Sequence, residues 1–189
     1  MPPPIVASST RSIAVFCASA DGTDPDFRAT AAELGRALAE RDVAIVYGGA
    51  RVGLMSAVAE AALASGGRVI GVIPTLLVDL EVAHSGLTEL HVTDGMHARK
   101  ALMSERADAF IALPGGFGTL EEVFEVLTWQ ALKLHAKPVV FLNINGFYDQ
   151  LLGFLDHCVD QGLLKAKNRA MVLVASTVAE ALTVLGLEG

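Results

Sequence analysis

The chain reads as an α/β domain of the doubly wound, Rossmann-like kind, a parallel sheet with helices on both faces. Three observations predict it. Short β-type runs such as Ala109-Phe110-Ile111-Ala112-Leu113 are apolar at every position rather than at alternate ones, as strands buried on both faces must be. Helical patterns separate these runs throughout the chain, the order expected of strands joined by crossover helices. Glycine-rich turns, Gly48-Gly49 and Gly115-Gly116-Phe117-Gly118, follow two of the runs and open helices, at the sheet edge where such folds bind ligands.

Taken in order, Ser12 to Cys17 reads as a strand and Pro25 to Arg41 as an amphipathic helix. Val43 to Tyr47 is a second strand, and the turn after it leads into a helix from Gly53 to about Ser65. Arg68 to Ile73 is a third strand, closed by Pro74. Residues 75–94 read as a loop or short helix, followed by a short strand around Leu90 to Val92. Gly95 to Ala107 is helical, Asp108 to Leu113 a strand, and Thr119 to His135 a long helix. Pro138 to Leu142, Tyr148 to Gln161, Met171 to Val174 and Thr177 to Leu185 complete the alternation. In the long helix Leu120, Val123, Phe124, Leu127, Ala131 and Leu134 form a stripe expected to face the sheet. Val126 and Trp129 fall on other faces, where an oligomer contact is expected.

With 189 residues, the chain is expected to form one domain over residues 12–189 behind a flexible tail at 1–11. Met1 to Thr10 lacks the basic and long apolar regions of a secretory signal. Hydrophobic residues make up 52% and charged residues 19%, so surplus apolar surface is expected to meet a second copy of the chain in a homodimer. No apolar run is long enough to span a bilayer, so no membrane partner is expected. A net charge of −7 argues against nucleic-acid binding, which needs a basic face. Cys17 and Cys158 form no metal-ligand pair, and the histidines show no zinc spacing, so no metal site is expected. Two separated thiols suit a reduced, cytoplasmic protein.

Pro114-Gly115-Gly116-Phe117-Gly118-Thr119-Leu120-Glu121-Glu122 carries the chemistry. Glycines between a strand and a helix turn backbone N–H groups toward one point, and the helix dipole favours an anion there. Three glycines and a hydroxyl in five residues exceed what a turn requires. Two glutamates then follow close to whatever carries the phosphate. Gly48 to Gly53 has the spacing of a nucleoside-triphosphate loop, but Leu54 and Met55 replace its lysine and hydroxyl residue. In the later turn Glu121 occupies the third glycine of a dinucleotide fingerprint. A single phosphate therefore fits better than ATP or NAD. A structural alternative stands beside this: Thr119-x-x-Glu122 is also a capping box, in which Glu122 would only close a helix end. Arg99-Lys100 alone would read as a solvated helix face, and Gly48-Gly49 as a tight turn.

Together these residues resemble the Lonely Guy (LOG) family, the cytokinin riboside 5′-monophosphate phosphoribohydrolases. Pro114 to Glu122 matches the family signature P-G-G-x-G-T-x-x-E in full. Tyr47-Gly48-Gly49 through Gly53-Leu54-Met55 resembles its first glycine turn, and Met96-x-x-Arg99-Lys100 its basic motif. The resemblance implies a Rossmann-like homodimer that hydrolyses the N-glycosidic bond of nucleoside 5′-monophosphates to free base and ribose 5-phosphate, with no cofactor. It implies substrate contacts from Glu81, Arg99, Lys100, Gly115, Gly116, Phe117, Gly118, Thr119, Leu120, Glu121, Glu122 and Thr128, with Ser19, Gly48, Gly49 and Met96 as further candidates. Catalysis falls to Arg99 with Glu122 or Glu121, since carboxylates stabilise an oxocarbenium-like sugar and activate water. Phe117 replaces a tyrosine common in the family, and Leu80, Ala18 and Ser56 also depart from its pattern. The competing expectations are a non-catalytic carrier of a nucleotide or molybdenum cofactor, and a pyridoxal-phosphate decarboxylase using Lys100 or Lys133.

Overall fold

The structure is a computed structural model that describes residues 11–81 and 83–188, with the side chains of residues 79–81 outside the description. Residues 1–10 of the expected tail lie outside the described residues. The strands are β1 (Ser12–Phe16), β2 (Ala44–Tyr47), β3 (Val69–Pro74), β4 (Glu89–Thr93), β5 (Ala109–Ala112), β6 (Val139–Leu142) and β7 (Val172–Ala175). They form one seven-stranded sheet in the order β4-β3-β2-β1-β5-β6-β7, parallel at every pairing. The helices are α1 (Pro25–Ala39), α2 (Gly53–Ala64), α3 (Thr75–Glu81), α4 (Met96–Arg106), α5 (Phe117–Ala131), α6 (Asp149–Asp160), α7 (Ala166–Arg169) and α8 (Val178–Val184). The short α7 and a 3-10 turn at Ile144–Gly146 are additions to the sequence reading.

The sheet is covered on both faces, which explains its sequence pattern. Alternation along β1 sends Ile13 and Val15 to a core shared with α1, α2 and α8, and Ala14 and Phe16 to a second core under α4, α5 and α6. Beyond Ser12 at the start of β1, the five central strands therefore carry no charged or strongly polar side chain. The edge strand β4 alternates between half-buried and exposed positions, so it lacks the continuous apolar run of the central strands. No described helix is long and apolar enough to cross a membrane.

The face of α5 differs from the predicted stripe. Thr119, Val123, Val126 and Leu127 are its buried residues, and Leu134 lies beyond the helix and is exposed. Val126 thus belongs to the core rather than to an outer face, and Trp129 is half-buried against the same core. The apolar character of this helix all round had masked its true inward direction.

Candidate active site

After β4 the chain returns across the sheet through α4 to enter β5 beside β1. The loops after β1 and β5 consequently diverge to opposite faces, and the gap between them is the topological switch point of the fold. A crevice of about 330 Å³ lies there. The end of β1 and its following loop supply Val15, Cys17, Ala18, Ser19 and Ala20. Gly48 and Met55 come from the β2–α2 region, Arg99 from α4, and Gly116, Phe117, Gly118, Thr119 and Glu122 from α5 and its cap. Backbone bonds fix the two loops together. Leu113 N–H donates to Phe16 at 2.9 Å and Ala18 N–H to Pro114 at 3.2 Å. The buried Tyr148 hydroxyl donates to the Leu113 carbonyl at 2.6 Å, anchoring the residue before the glycine turn.

The helix begins earlier than predicted. Gly116 is the N-cap of α5, with no side-chain cap, and Leu120 N–H donates to the Gly116 carbonyl at 3.0 Å as an early intrahelical bond. The N–H groups of Phe117, Gly118 and Thr119 have no intrahelical acceptor and open at the crevice. Thr119 and Glu122 are therefore inside the helix, so the capping-box alternative does not apply. The glutamates fall in its second turn rather than its first.

The glycines separate by purpose. A Cβ on Gly115 would lie 2.0 Å from Thr119 Oγ1, so packing of the buried threonine demands glycine there. Gly49 has φ +79°, which a tight turn requires. A Cβ on Gly48 would lie 2.2 Å from an Arg99 guanidinium nitrogen. Gly116 and Gly118 have no such reason: neither has a positive φ, and a Cβ on either meets nothing within 4 Å. The folded chain leaves open space at both, on the crevice wall and in front of a helix N-terminus.

Arg99 is only 5% exposed. Its Nε–H donates to the Val72 carbonyl in β3 at 3.0 Å, and Nη2 to the Gly48 carbonyl at 3.0 Å. The solvated-face alternative therefore fails for it: two strand ends hold a guanidinium against the crevice. Met96 touches it, with Sδ 3.9 Å from Nη1. Glu122 is half-buried and lines the crevice. Burial first, and then the charge of Glu122, push the Cys17 thiol far above its usual range, so Cys17 meets the crevice as a neutral thiol.

Other predicted residues lie elsewhere. Lys100 is buried but points to α5, in ion pairs with Glu121 and with Glu125 at 3.0 Å. Burial alone would lower its pKa; hydrogen bonds and charge from the two glutamates outweigh that and raise it. Gly115 lines a neighbouring apolar pocket with Phe27 and Phe147, and Gly49 accepts a hydrogen bond from His84 N–H at 3.0 Å. Leu120 packs against the core under α5. Thr128 donates to the Phe124 carbonyl at 2.7 Å and lines a separate groove between α5 and α6. Eleven helical positions separate it from Phe117, about 16 Å along the axis. Glu81 ends α3, but its side chain lies outside the described residues. Among the described residues, no group of three His, Cys, Asp or Glu side chains is arranged to hold a metal. Val15 and Ala20 carry no local sequence signal for the crevice, whereas Cys17 and Ala18 adjoin the candidate Ser19 and Met55 belongs to the first glycine turn. The sheet order, with β1 beside β5, sets the end of β1 against the later glycine turn.

Comparison with known proteins agrees with this geometry. A family model described as "Possible lysine decarboxylase" matches residues 55–185. The cytokinin riboside 5′-monophosphate phosphoribohydrolase of Rhodococcoides fascians is 48% identical over 190 residues, covering 98% of this chain and 96% of its own. The enzyme of that name from Oryza sativa subsp. japonica is 47% identical over 173 residues, covering 92% and 72%. Among solved structures, the molybdenum cofactor carrier protein of Chlamydomonas reinhardtii superposes with a TM-score of 0.71 at 26% identity, covering 94% of this chain and 97% of that one. The signature around the α5 N-terminus, the family match over most of the chain and relatives approaching half identity agree: the chain belongs to the Lonely Guy family, among the proteins named as phosphoribohydrolases.

Proposed function

We propose that the crevice hydrolyses the N-glycosidic bond of adenine nucleoside 5′-monophosphates, including N6-modified ones, to free base and ribose 5-phosphate. The observation that carries the reading is the open space at Gly116 and Gly118, before the unpaired N–H groups of α5. A phosphate fits there, held by backbone donors and the helix dipole. Glu122, one turn further on the crevice wall, then faces the ribose. As the bond to the base breaks, positive charge develops at C1′; a carboxylate in a partly dry site stabilises it and orients the attacking water. Arg99, anchored to two carbonyls, supplies fixed positive charge for the substrate's anionic end. Glu122 lines the crevice while Glu121 faces Lys100 on α4, which makes Glu122 the carboxylate placed to act on the substrate.

A carrier would use the same phosphate cradle, and the solved carrier proteins share the fold. Glu122 favours hydrolysis, because a carboxylate beside a bound anion costs affinity unless it meets a developing cation. The decarboxylase description is disfavoured by its lysines. Lys100 is held protonated by two glutamates, and Lys133 follows the far end of α5. A homodimer and a cytoplasmic location are part of the reading. Phe117, 95% exposed beside the crevice, supports the first, since an aromatic so placed is suited to covering by a second copy or by substrate. Free Cys17 and Cys158 support the second. No nucleic-acid partner is proposed for a chain of net charge −7. Incubation with AMP, followed by chromatography for adenine and ribose 5-phosphate, tests the activity; intact AMP after prolonged incubation would refute it.

A further inference from the structure

The segment between α3 and β4 closes on the β2–α2 turn, next to the Gly48 carbonyl that holds Arg99. Ala83 forms an antiparallel bridge with Ala50, and His84 N–H donates to the Gly49 carbonyl at 3.0 Å. At its far end the segment is pinned to the sheet. Thr88 N–H donates to the Val69 carbonyl and Val69 N–H to the Thr88 hydroxyl, both at 3.0 Å. Residues 83–87 thus form a short clasp over the turn, and the clasp is arranged around one imidazole.

That imidazole is held in its neutral form. His84 is 6% exposed, and its Nδ1 accepts the Gly86 N–H at 3.0 Å. The ring proton therefore sits on Nε2, an atom that is buried with no hydrogen-bond partner among the described residues. A second proton would go to Nδ1. Two donors, Nδ1–H and Gly86 N–H, would then face each other, and a cation would be buried where Nε2 has no acceptor. Burial comes first in opposing the charge, followed by Arg51 in the β2–α2 turn; Glu60 on α2 and, least, the ring's own backbone favour it. Glu60 already pairs with Arg51 at 3.1 Å, so its compensation is shared.

We propose that the clasp is a proton-sensitive switch: protonation of His84 releases residues 83–87 from the β2–α2 turn and slackens the wall that sets Gly48 against Arg99. The effect on turnover rests on the phosphoribohydrolase reading; the opening itself does not. The direction follows from linkage. A histidine held below its usual range contributes stability above the unfolded value of about 6.5 and loses it as pH falls. The clasp is closed at pH 7 and opens progressively below about pH 6.5. Between pH 7 and pH 5 a ring that cannot protonate when closed shifts the equilibrium by roughly 25-fold, and partial protonation in place makes the shift smaller.

The test compares the full chain as wild type and as His84→Asn, whose amide oxygen accepts the Gly86 N–H in place of Nδ1 and does not titrate. Hydrogen exchange is read at pH 7 and pH 5 as protection relative to an unstructured chain, which removes the intrinsic pH dependence of exchange. In the wild type, protection of the His84 and Gly86 amides is expected to fall at least about fivefold at pH 5, while the paired strands β1 and β5 keep theirs. His84→Asn should keep both. On AMP the two proteins should agree within about twofold in kcat/KM at pH 7, with His84→Asn at least about threefold the faster at pH 5. Unchanged protection in the wild type, an equal fall in His84→Asn, or a parallel loss in β1 and β5 would each overturn the proposal. So would identical pH profiles of turnover. If His84→Asn does not fold, wild-type exchange decides: local loss with an intact core supports the switch, and any other pattern overturns it. Absence of AMP hydrolysis by the wild type at pH 7 would sink the functional reading instead, and exchange would still decide the switch.

Discussion

Gly118→Ala is expected to make the protein more stable and the enzyme worse. Gly118 lies in the first turn of α5 with φ in the ordinary helical range, and a Cβ there meets nothing within 4 Å. Alanine should therefore fit without strain. Glycine costs a helix roughly 0.5–1 kcal/mol relative to alanine, and a domain of this size gains about 2–4 °C in Tm per kcal/mol. The expected shift is an increase of about 1–4 °C. The new methyl group tilts toward the helix N-terminus, as every helical Cβ does, and enters the space before the unpaired N–H groups. A phosphate oxygen held there sits about 2.9 Å from its donor nitrogen, with its other oxygens crowding the same volume. Loss of one hydrogen bond to a charged group, about 1.5–3 kcal/mol, corresponds to roughly 10- to 150-fold in affinity. Thermal denaturation and calorimetric titration with ribose 5-phosphate read the two effects. A variant that is stabilised and still binds with wild-type affinity would show that no ligand uses this space, and the phosphate cradle would fall.

Glu122→Gln should lower kcat by on the order of a hundredfold with Tm near that of the wild type, because Glu122 caps no helix; retained turnover would make the carboxylate structural. Arg99→Ala should lose both activity and stability, since it strands the Val72 and Gly48 carbonyls at about 1–3 kcal/mol each; an unchanged Tm would contradict that anchoring. AMP should be cleaved far faster than adenosine, and comparable rates would remove the phosphate from recognition. Acidification should destabilise the fold. His84 and His135 accept backbone N–H bonds at Nδ1, and burial first, then the charges of Arg51 and Lys137, hold both below the usual imidazole range. Groups with depressed folded pKa values contribute stability above the unfolded value of about 6.5 and lose it as pH falls. Tm should drop from pH 7 to pH 5, and a His84→Gln/His135→Gln variant should show a flatter dependence.

The fold was legible because strands buried on both faces carry no alternation, and the runs ending at Tyr47 and Leu113 could not be taken for solvent-facing strands. The glycine signature was legible because Gly116 and Gly118 serve no turn. What the sequence concealed was direction. Along α5 nearly every face has an apolar residue, so periodicity placed Leu134 inside and Val126 outside, the reverse of their packing. Adjacency in sequence also hid opposite assignments. Arg99 and Lys100 point to different neighbours, as do Glu121 and Glu122, because successive helical residues are turned about 100° apart. Glu125 stands in no motif, yet its four-residue spacing from Glu121 puts both on one flank of α5, where they share Lys100.

The central position of β1 has a consequence for how the molecule is made. Ser12 to Phe16 must wait for β5, whose Ala109 pairs with Ile13, and the loop after β1 then waits for Tyr148 to tether Leu113. During synthesis the first hundred or so residues can build only one side of the sheet, leaving the other edge of β1 bare. Contacts so distant in sequence close slowly, because the loop entropy is spent before they form. The crevice should accordingly be among the last features to appear on the ribosome, and an intermediate with an exposed β1 edge is the form most open to aggregation. Chains truncated before β6 should be recovered as insoluble protein rather than as weak enzymes.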